Sequence, residues 1–236
     1  MNRRIPAVAA FLVGFLSLPC ASRAAYPFQD DFESGLAQWA TNGAWGITAA
    51  ASVSPTRSAT DSPGALYGNN QDATLSQAAA MNLGTAVRPA LSFQHRHALE
   101  SGYDFGRLEV SPDGDASWSN LAAYTGNLSA WTRDQFDLAA FAGRPDVRVR
   151  FRLVTDGSVI MDGWYVDDVR VDEAPAAVTL AATSSAPNAV SLTWTPSADP
   201  RFAKYVILRS LSPAFDWRTA SVVAELPSAA TTSAVD

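Results

Sequence analysis

Three groups of carboxylates are the side chains of this sequence best suited to chemistry: Asp30, Asp31 and Glu33 near the beginning, Glu100 and Asp104 in the middle, and Asp167 and Asp168 towards the end of the best-patterned region. Clustered hard oxygens suit Ca²⁺, which takes about six to eight oxygen ligands and accepts backbone carbonyls among them. Asp167 makes the sharpest case. If Val169 and Val171 face a core, a period of two puts Tyr165 and Asp167 on the same side, where an isolated ionised carboxylate is costly and needs a partner. The expected centre is a structural calcium ion held by Asp31, Glu33, Asp167 and Asp168, with Glu100 and Asp104 as further ligands. The alternative pairs these carboxylates with Arg96, Arg107 or Arg170, or leaves them solvated at strand ends.

Other chemistry finds less support. His95 and His97 are the two histidines of the chain, and neither a His-Glu-x-x-His run nor a third histidine accompanies them, so hydrogen-bonded histidines in the core or at its rim are expected rather than a zinc site. No Gly-x-Ser-x-Gly occurs. An enzyme is therefore not expected. Arg148, Arg150 and Arg152 form a ladder able to grip an acidic glycan or a partner's carboxylates, or to pair across strands with Glu109 or Asp137. Trp45, Trp118, Trp131 and Tyr124 would suit either a sugar-stacking platform or core packing.

Strands must position these groups. In Val147-Arg-Val-Arg-Phe-Arg-Leu153 apolar and basic residues alternate without a break, and Leu91 to Leu99 carries Leu91, Phe93 and Leu99 against Ser92, Gln94 and Arg96. Both segments read as half-buried strands of antiparallel sheets with one wet face. Tyr103 to Ser111 and Trp131 to Asp137 are further strands, with Phe141 to Arg144 leading into the Arg ladder and short strands at Ala44 to Ala49 and Ala65 to Tyr67; residues 50–64 read as a surface loop. Pro112-Asp-Gly114 signals a hairpin turn before Trp118, and its partial likeness to an Asp-box is better explained as a tight turn closed by a packed Trp. No long helical period and no internal repeat is present.

Composition bounds the rest. With 47% hydrophobic and 17% charged residues among 236, the chain is globular, and a net charge of −6 argues against nucleic acid as a partner. Met1-Asn-Arg-Arg4, an apolar run through Leu18 and Ala21-Ser-Arg-Ala24 have the three-part build of a secretory leader over residues 1–24, cut before Ala25. A lipid anchor at Cys20 is disfavoured by Pro19. Cleavage removes that sole cysteine, so the secreted chain is expected without disulfides and without a membrane span. At Asp172-Glu-Ala-Pro-Ala-Ala-Val-Thr-Leu180 the composition shifts to Ala, Pro, Ser and Thr and marks a boundary, giving expected domains of 25–172 and 173–236.

Val190-Ser-Leu-Thr-Trp194 and Phe202-Ala-Lys-Tyr-Val-Ile-Leu-Arg-Ser210 resemble strands B and C of a fibronectin type III domain, whose last strands the remaining length does not supply; a piece of a longer protein is the expected explanation. Earlier in the chain, Asp31-Phe-Glu-Ser-Gly-Leu-Ala-Gln-Trp39, Glu100 to Val110, Trp131 and Asp162-Gly-Trp-Tyr-Val-Asp-Asp-Val169 together resemble the MAM-like jelly-roll module that accompanies secreted bacterial metallopeptidases of the immune inhibitor A type. That resemblance implies a two-sheet antiparallel jelly roll, a supporting or binding role beside another domain, and a structural calcium ion near the first and last strands. The disulfides of animal MAM domains do not carry over. The expected fold class is therefore all-β, a jelly-roll sandwich followed by an incomplete immunoglobulin-like sandwich. The expected function is a non-catalytic extracellular accessory or adhesion module that supports or targets a neighbouring domain, its partner being that domain of a longer protein or a surface glycan or protein. A carbohydrate-binding module acting on polysaccharide is the alternative.

Overall fold

The computed structural model describes residues 26–175, 178–186, 189–199, 202–211 and 220–235. The leader expected over 1–24 lies outside them. Two compact units divide at Asp172 and Glu173.

The first unit holds eleven strands: β1 (Phe28–Asp30), β2 (Trp39–Asn42), β3 (Gly46–Thr48), β4 (Ser58–Thr60), β5 (Asp72–Gln77), β6 (Pro89–Ala98), β7 (Phe105–Ser111), β8 (Ser119–Tyr124), β9 (Asn127–Asp137), β10 (Arg148–Val154) and β11 (Gly163–Glu173). One sheet runs β3-β4-β11-β6-β9, with β1 also paired to β11; the other runs β2-β5-β10-β7-β8. Every ladder with a described register is antiparallel. The alternation seen in the sequence explains why. In β10, Val149, Phe151 and Leu153 are buried while Arg148, Arg150 and Arg152 face out. Each such buried side chain contributes about 1.5–3 kcal/mol. Between the sheets, Phe151 meets Phe93 at 5.0 Å and Trp164 at 5.4 Å between ring centroids, both edge to face.

Three local expectations are corrected. Residues 50–64 are not merely a surface loop, because Ser58, Ala59 and Thr60 form the buried strand β4 between β3 and β11. Ala65 to Tyr67 is not a strand; Ala65 and Tyr67 bond back to the carbonyls of Ser62 and Met161, and β5 follows instead. Phe141 ends a 3₁₀ turn, Ala139–Phe141, rather than opening an extended lead into β10.

The second unit has β12 (Leu180–Ala186), β13 (Ala189–Trp194), β14 (Tyr205–Arg209), β15 (Ser221–Leu226) and β16 (Ser233–Val235). Its sheets run β12-β13-β16 and β14-β15, with the Trp194 ring edge-on to Tyr205 at 5.3 Å.

Candidate functional site

Asp167 is fully buried, for a different reason than a simple period of two supplies. Trp164 and Val166 belong to the same core as Val169 and Val171, so the alternation along β11 changes phase at Asp167–Asp168, where Asp168 takes a left-handed φ of +49°. One extra residue of this kind is the effect of a β-bulge. Tyr165 lies outside that core, its ring under the Arg96 guanidinium at 5.0 Å. Asp167 is buried beneath the segment 51–57, which it holds: its carboxylate accepts hydrogen bonds from Val53 N–H at 2.7 Å, Ser54 O–H at 3.2 Å and Asp168 N–H at 2.8 Å. Glu33 holds the same segment from the other side, accepting from Thr56 N–H at 2.5 Å and Arg57 N–H at 2.7 Å. Burial nevertheless pushes the Asp167 carboxyl up to about 6.

The middle carboxylates behave differently. Glu100 and Asp104 come together with Asp156, which was not among the expected ligands; their oxygens lie within 4.8 Å of one another, and this is the one such group of three or more potential metal ligands among the described residues. Asp31, Glu33, Asp167 and Asp168 do not join it. The expected centre of six is thus divided, because backbone N–H groups of segment 51–57 already meet Glu33 and Asp167. Asp104 is fully buried and accepts from Tyr67 O–H at 2.6 Å and Asp156 N–H at 2.8 Å, which holds β7 against the chain leaving β10. Partial burial, then Asp156 and Asp104, push the Glu100 carboxyl up. Asp156 follows the end of β10 by two residues; a Ser158 side chain that bonds both it and Glu100 belongs to the same Thr-Asp-Gly-Ser turn, a signal legible in the sequence.

The expected arginine partners are also elsewhere. Arg96 pairs with Asp162 at 3.4 Å, Arg170 with Asp172 at 3.8 Å, and Arg107 lies over the Phe105 ring. The outer ladder pairs across strands, Arg150 with Glu109 and Arg152 with Asp72 through two bonds, while Arg148 takes Asp115. Asp137 is not among its partners; it caps the Ala139 N–H in the other sheet. Arg150 also covers the Trp118 ring at 4.0 Å. Trp45 is buried beside Trp164, and Tyr124 packs on His95, so the four aromatics form no common platform.

Both histidines are in the core. His95 Nδ1 accepts from the Trp164 indole N–H at 3.2 Å and its Nε2 lies 3.6 Å from Asp134, whose carboxylate also receives Tyr124 O–H. Burial holds His97 down at about 4, so it is neutral near pH 7.

Another buried carboxylate went unnoticed in the sequence. Asp61 accepts from Trp164 N–H at 2.5 Å, and its second oxygen has no hydrogen-bond partner among the described residues. Gly163, at φ +96°, is required beside it, since a Cβ there would sit 2.5 Å from Asp61 Oδ1. Burial pushes this carboxyl up to about 7.

The outer face of the six-stranded sheet carries a groove of about 490 Å³, lined by Gln29 and Asp30 of β1 and Asp31 after it, Gln94 of β6, Arg133 of β9, and Asp168 and Arg170 of β11, among others. Outward positions of adjacent strands meet there: Gln29 is the register partner of Arg170, and Gln94 that of Arg133.

A family model described as Immune inhibitor A-like, MAM domain, matches residues 64–189. Bacillopeptidase F of Bacillus subtilis (strain 168) is 31% identical over 165 residues, 65% of this chain and 11% of that protein. Pre-pro-metalloprotease PrtV of Vibrio cholerae serotype O1 is 34% identical over 92 residues, 35% of this chain and 10% of that protein. The chain thus spans about a tenth of the length of these curated relatives. Among solved structures, the K1 cleaved adhesin domain of Lys-gingipain from Porphyromonas gingivalis W83 aligns at a TM-score of 0.43 and 19% identity, covering 62% of this chain and 98% of that one. The CBM22-2 xylan-binding domain from Paenibacillus barcinonensis aligns at 0.41 and 19%, covering 62% and 99%.

Proposed function

We propose, starting from the fact that this chain belongs to the Immune inhibitor A-like MAM domain family, that it is a non-catalytic accessory module of an exported multidomain protein, supporting or targeting a neighbouring domain. The family match over residues 64–189 carries this reading. The relatives named as a peptidase and a metalloprotease, each about ten times longer than the stretch they share with this chain, support a place beside a peptidase. The side chains themselves add support. Both histidines are buried and engaged in packing, and the Arg ladder is consumed by Glu109, Asp72 and Asp115. No helix of the described residues is long and apolar enough to cross a membrane. The second unit, 173–236, reads as the start of a fibronectin type III domain, a reading supported by Trp194 against Tyr205 and by the β12-β13-β16 pairing.

A structural Ca²⁺ belongs to the proposal. Glu100, Asp104 and Asp156 fit a hard dication by donor type and proximity, and it would neutralise three carboxylates that none of the described ion pairs engages. Its contribution is to fasten the loops between β6 and β7 and between β10 and β11.

The test of the accessory role is direct. Purified chain incubated with denatured protein and with neutral and acidic polysaccharides is expected to release neither peptides nor reducing sugar. Turnover that co-purifies with the chain overturns the reading.

A further inference from the structure

We propose that the groove on the outer face of the six-stranded sheet binds a chain of neutral sugars. This deepens the accessory role and rests on it: a module that targets its neighbour needs a surface that holds something, and the groove offers one.

The groove's volume of about 490 Å³ falls inside the range of about 300–1,000 Å³ typical of ligand clefts. Its lining includes two amides, Gln29 and Gln94, two guanidiniums, Arg133 and Arg170, and three carboxylates, Asp31, Asp168 and Asp30, the last buried and already accepting from Phe32 N–H and the side chains of Gln38 and Trp39. With Asp30 so engaged, the other charges cancel. A polyanion would meet Asp31 and Asp168, a polycation would meet the two arginines, and an apolar ligand would leave the other six unpaired. Hydroxyl-rich neutral rings, in which each group both donates and accepts, match a wall that mixes donors with acceptors.

Geometry narrows the choice further. The groove crosses the face of β11 and β6, which have neighbours on each side, so an extended peptide lying on that face could not add its backbone to either strand; the edge strands β1 and β9 only flank it. The lining is also partly fixed before any ligand arrives. Arg170 donates to Gln29 Oε1 at 3.0 Å, and Arg133 donates to Ser92 Oγ at 3.0 Å. Asp168 and Gln94 direct their polar ends to no described partner and are available to a ligand. Phe93 and Val169, each 1% exposed, give a rigid floor. Apart from the buried Phe93, no lining side chain is aromatic, so recognition would rest on hydrogen bonds to ring hydroxyls, not on stacking.

Titration calorimetry of the whole chain with neutral hexasaccharides of xylose, of β-linked glucose and of α-linked glucose tests this. Binding of at least one is expected, weakened tenfold or more by the double substitution Gln94→Ala, Arg133→Ala, with the thermal unfolding midpoint unchanged. Arg148→Ala on the opposite sheet serves as the control and should leave binding intact. Should the double variant unfold early, Arg170→Ala at the other wall reads the same site. Absence of binding to all three sugars overturns the proposal, as does binding that the groove variants leave untouched. Preference for a sulfated or uronic glycan, or for a peptide, overturns the ligand class. Cleavage of a hexasaccharide would instead break the non-catalytic reading, so the two failures are distinguishable.

Discussion

The two carboxylate centres of the first unit solve the same electrostatic problem in opposite ways. At Glu33 and Asp167 the negative charge faces backbone N–H groups of segment 51–57, so the protein supplies its own compensation and gains a fastened strap. At Glu100, Asp104 and Asp156 the charge faces other charge, with fewer donors, and Asp156 and Asp104 add to the burial that pushes the Glu100 carboxyl up. A carboxylate cluster in a sequence therefore announces a need for compensation without naming the compensator. The chain distance between donor and acceptor decides: Val53 lies 114 residues from Asp167, a pairing that only the assembled sheet creates.

The strap end should show the larger effect. Asp167→Ala leaves the Val53 and Asp168 N–H groups and the Ser54 hydroxyl without their acceptor, and leaving a buried donor unpaired costs about 1–3 kcal/mol. A loss of roughly 3–4 kcal/mol in denaturant unfolding is expected, with no added sensitivity to chelator. If the variant instead matched wild type in calcium-free buffer and fell behind only when calcium was added, the contrast between the two ends would be reversed.

At the crowded end the expected effect is somewhat smaller and depends on solution conditions. Calcium at about a hundred times its dissociation constant would add about 2.7 kcal/mol. Calcium should thus raise the melting temperature of chelator-treated protein, Asp156→Asn and Glu100→Gln should abolish that rise, and Glu33→Gln should preserve it. A calcium response that survives Asp156→Asn but is lost with Glu33→Gln moves the ion to the strap.

Much of this architecture could be read from the chain because side-chain alternation is local. The Arg ladder of β10 and the polar-apolar pattern of β6 each fit inside ten residues, and both became strands within a residue or two of where the pattern placed them. Strand β4 was missed because Ser58-Ala-Thr60 is small and polar, its burial coming from β3 and β11 on either side rather than from its own hydrophobicity. The site was legible in composition and not in grouping. Glu100 and Asp104 were flagged and do meet, yet the phase change at Asp168 defeated the period-two argument for Asp167, since a left-handed residue flips the faces of everything beyond it. Asp156 and Asp61 sit in Asp-Gly and Asp-Ser turns that look like ordinary loops until the strands bring them inward.

Asp61 is the intermediate case and sharpens the comparison most finely, with one oxygen paired and one without a described partner. Its carboxyl is pushed from 3.8 to about 7 by burial, so between those values the folded chain keeps a proton that the unfolded chain has released. Because the native state then binds more protons, stability falls as pH rises through this window, by at most about 1.4 kcal/mol per pH unit, and the deficit stays constant above pH 7. His97 acts in the opposite sense. Burial lowers it from 6.5 to about 4, so the unfolded state binds the extra proton and stability rises with pH over that interval, partly masking Asp61. The informative quantity is therefore the difference between Asp61→Asn and wild type, since the amide can still accept from the Trp164 N–H but carries no titrating proton. That difference in unfolding free energy should swing in favour of the variant from pH 4 to pH 7 and then level off. A flat difference across the window would mean that Asp61 is ionised in the folded protein, its second oxygen compensated after all, and that it belongs with the self-compensated strap.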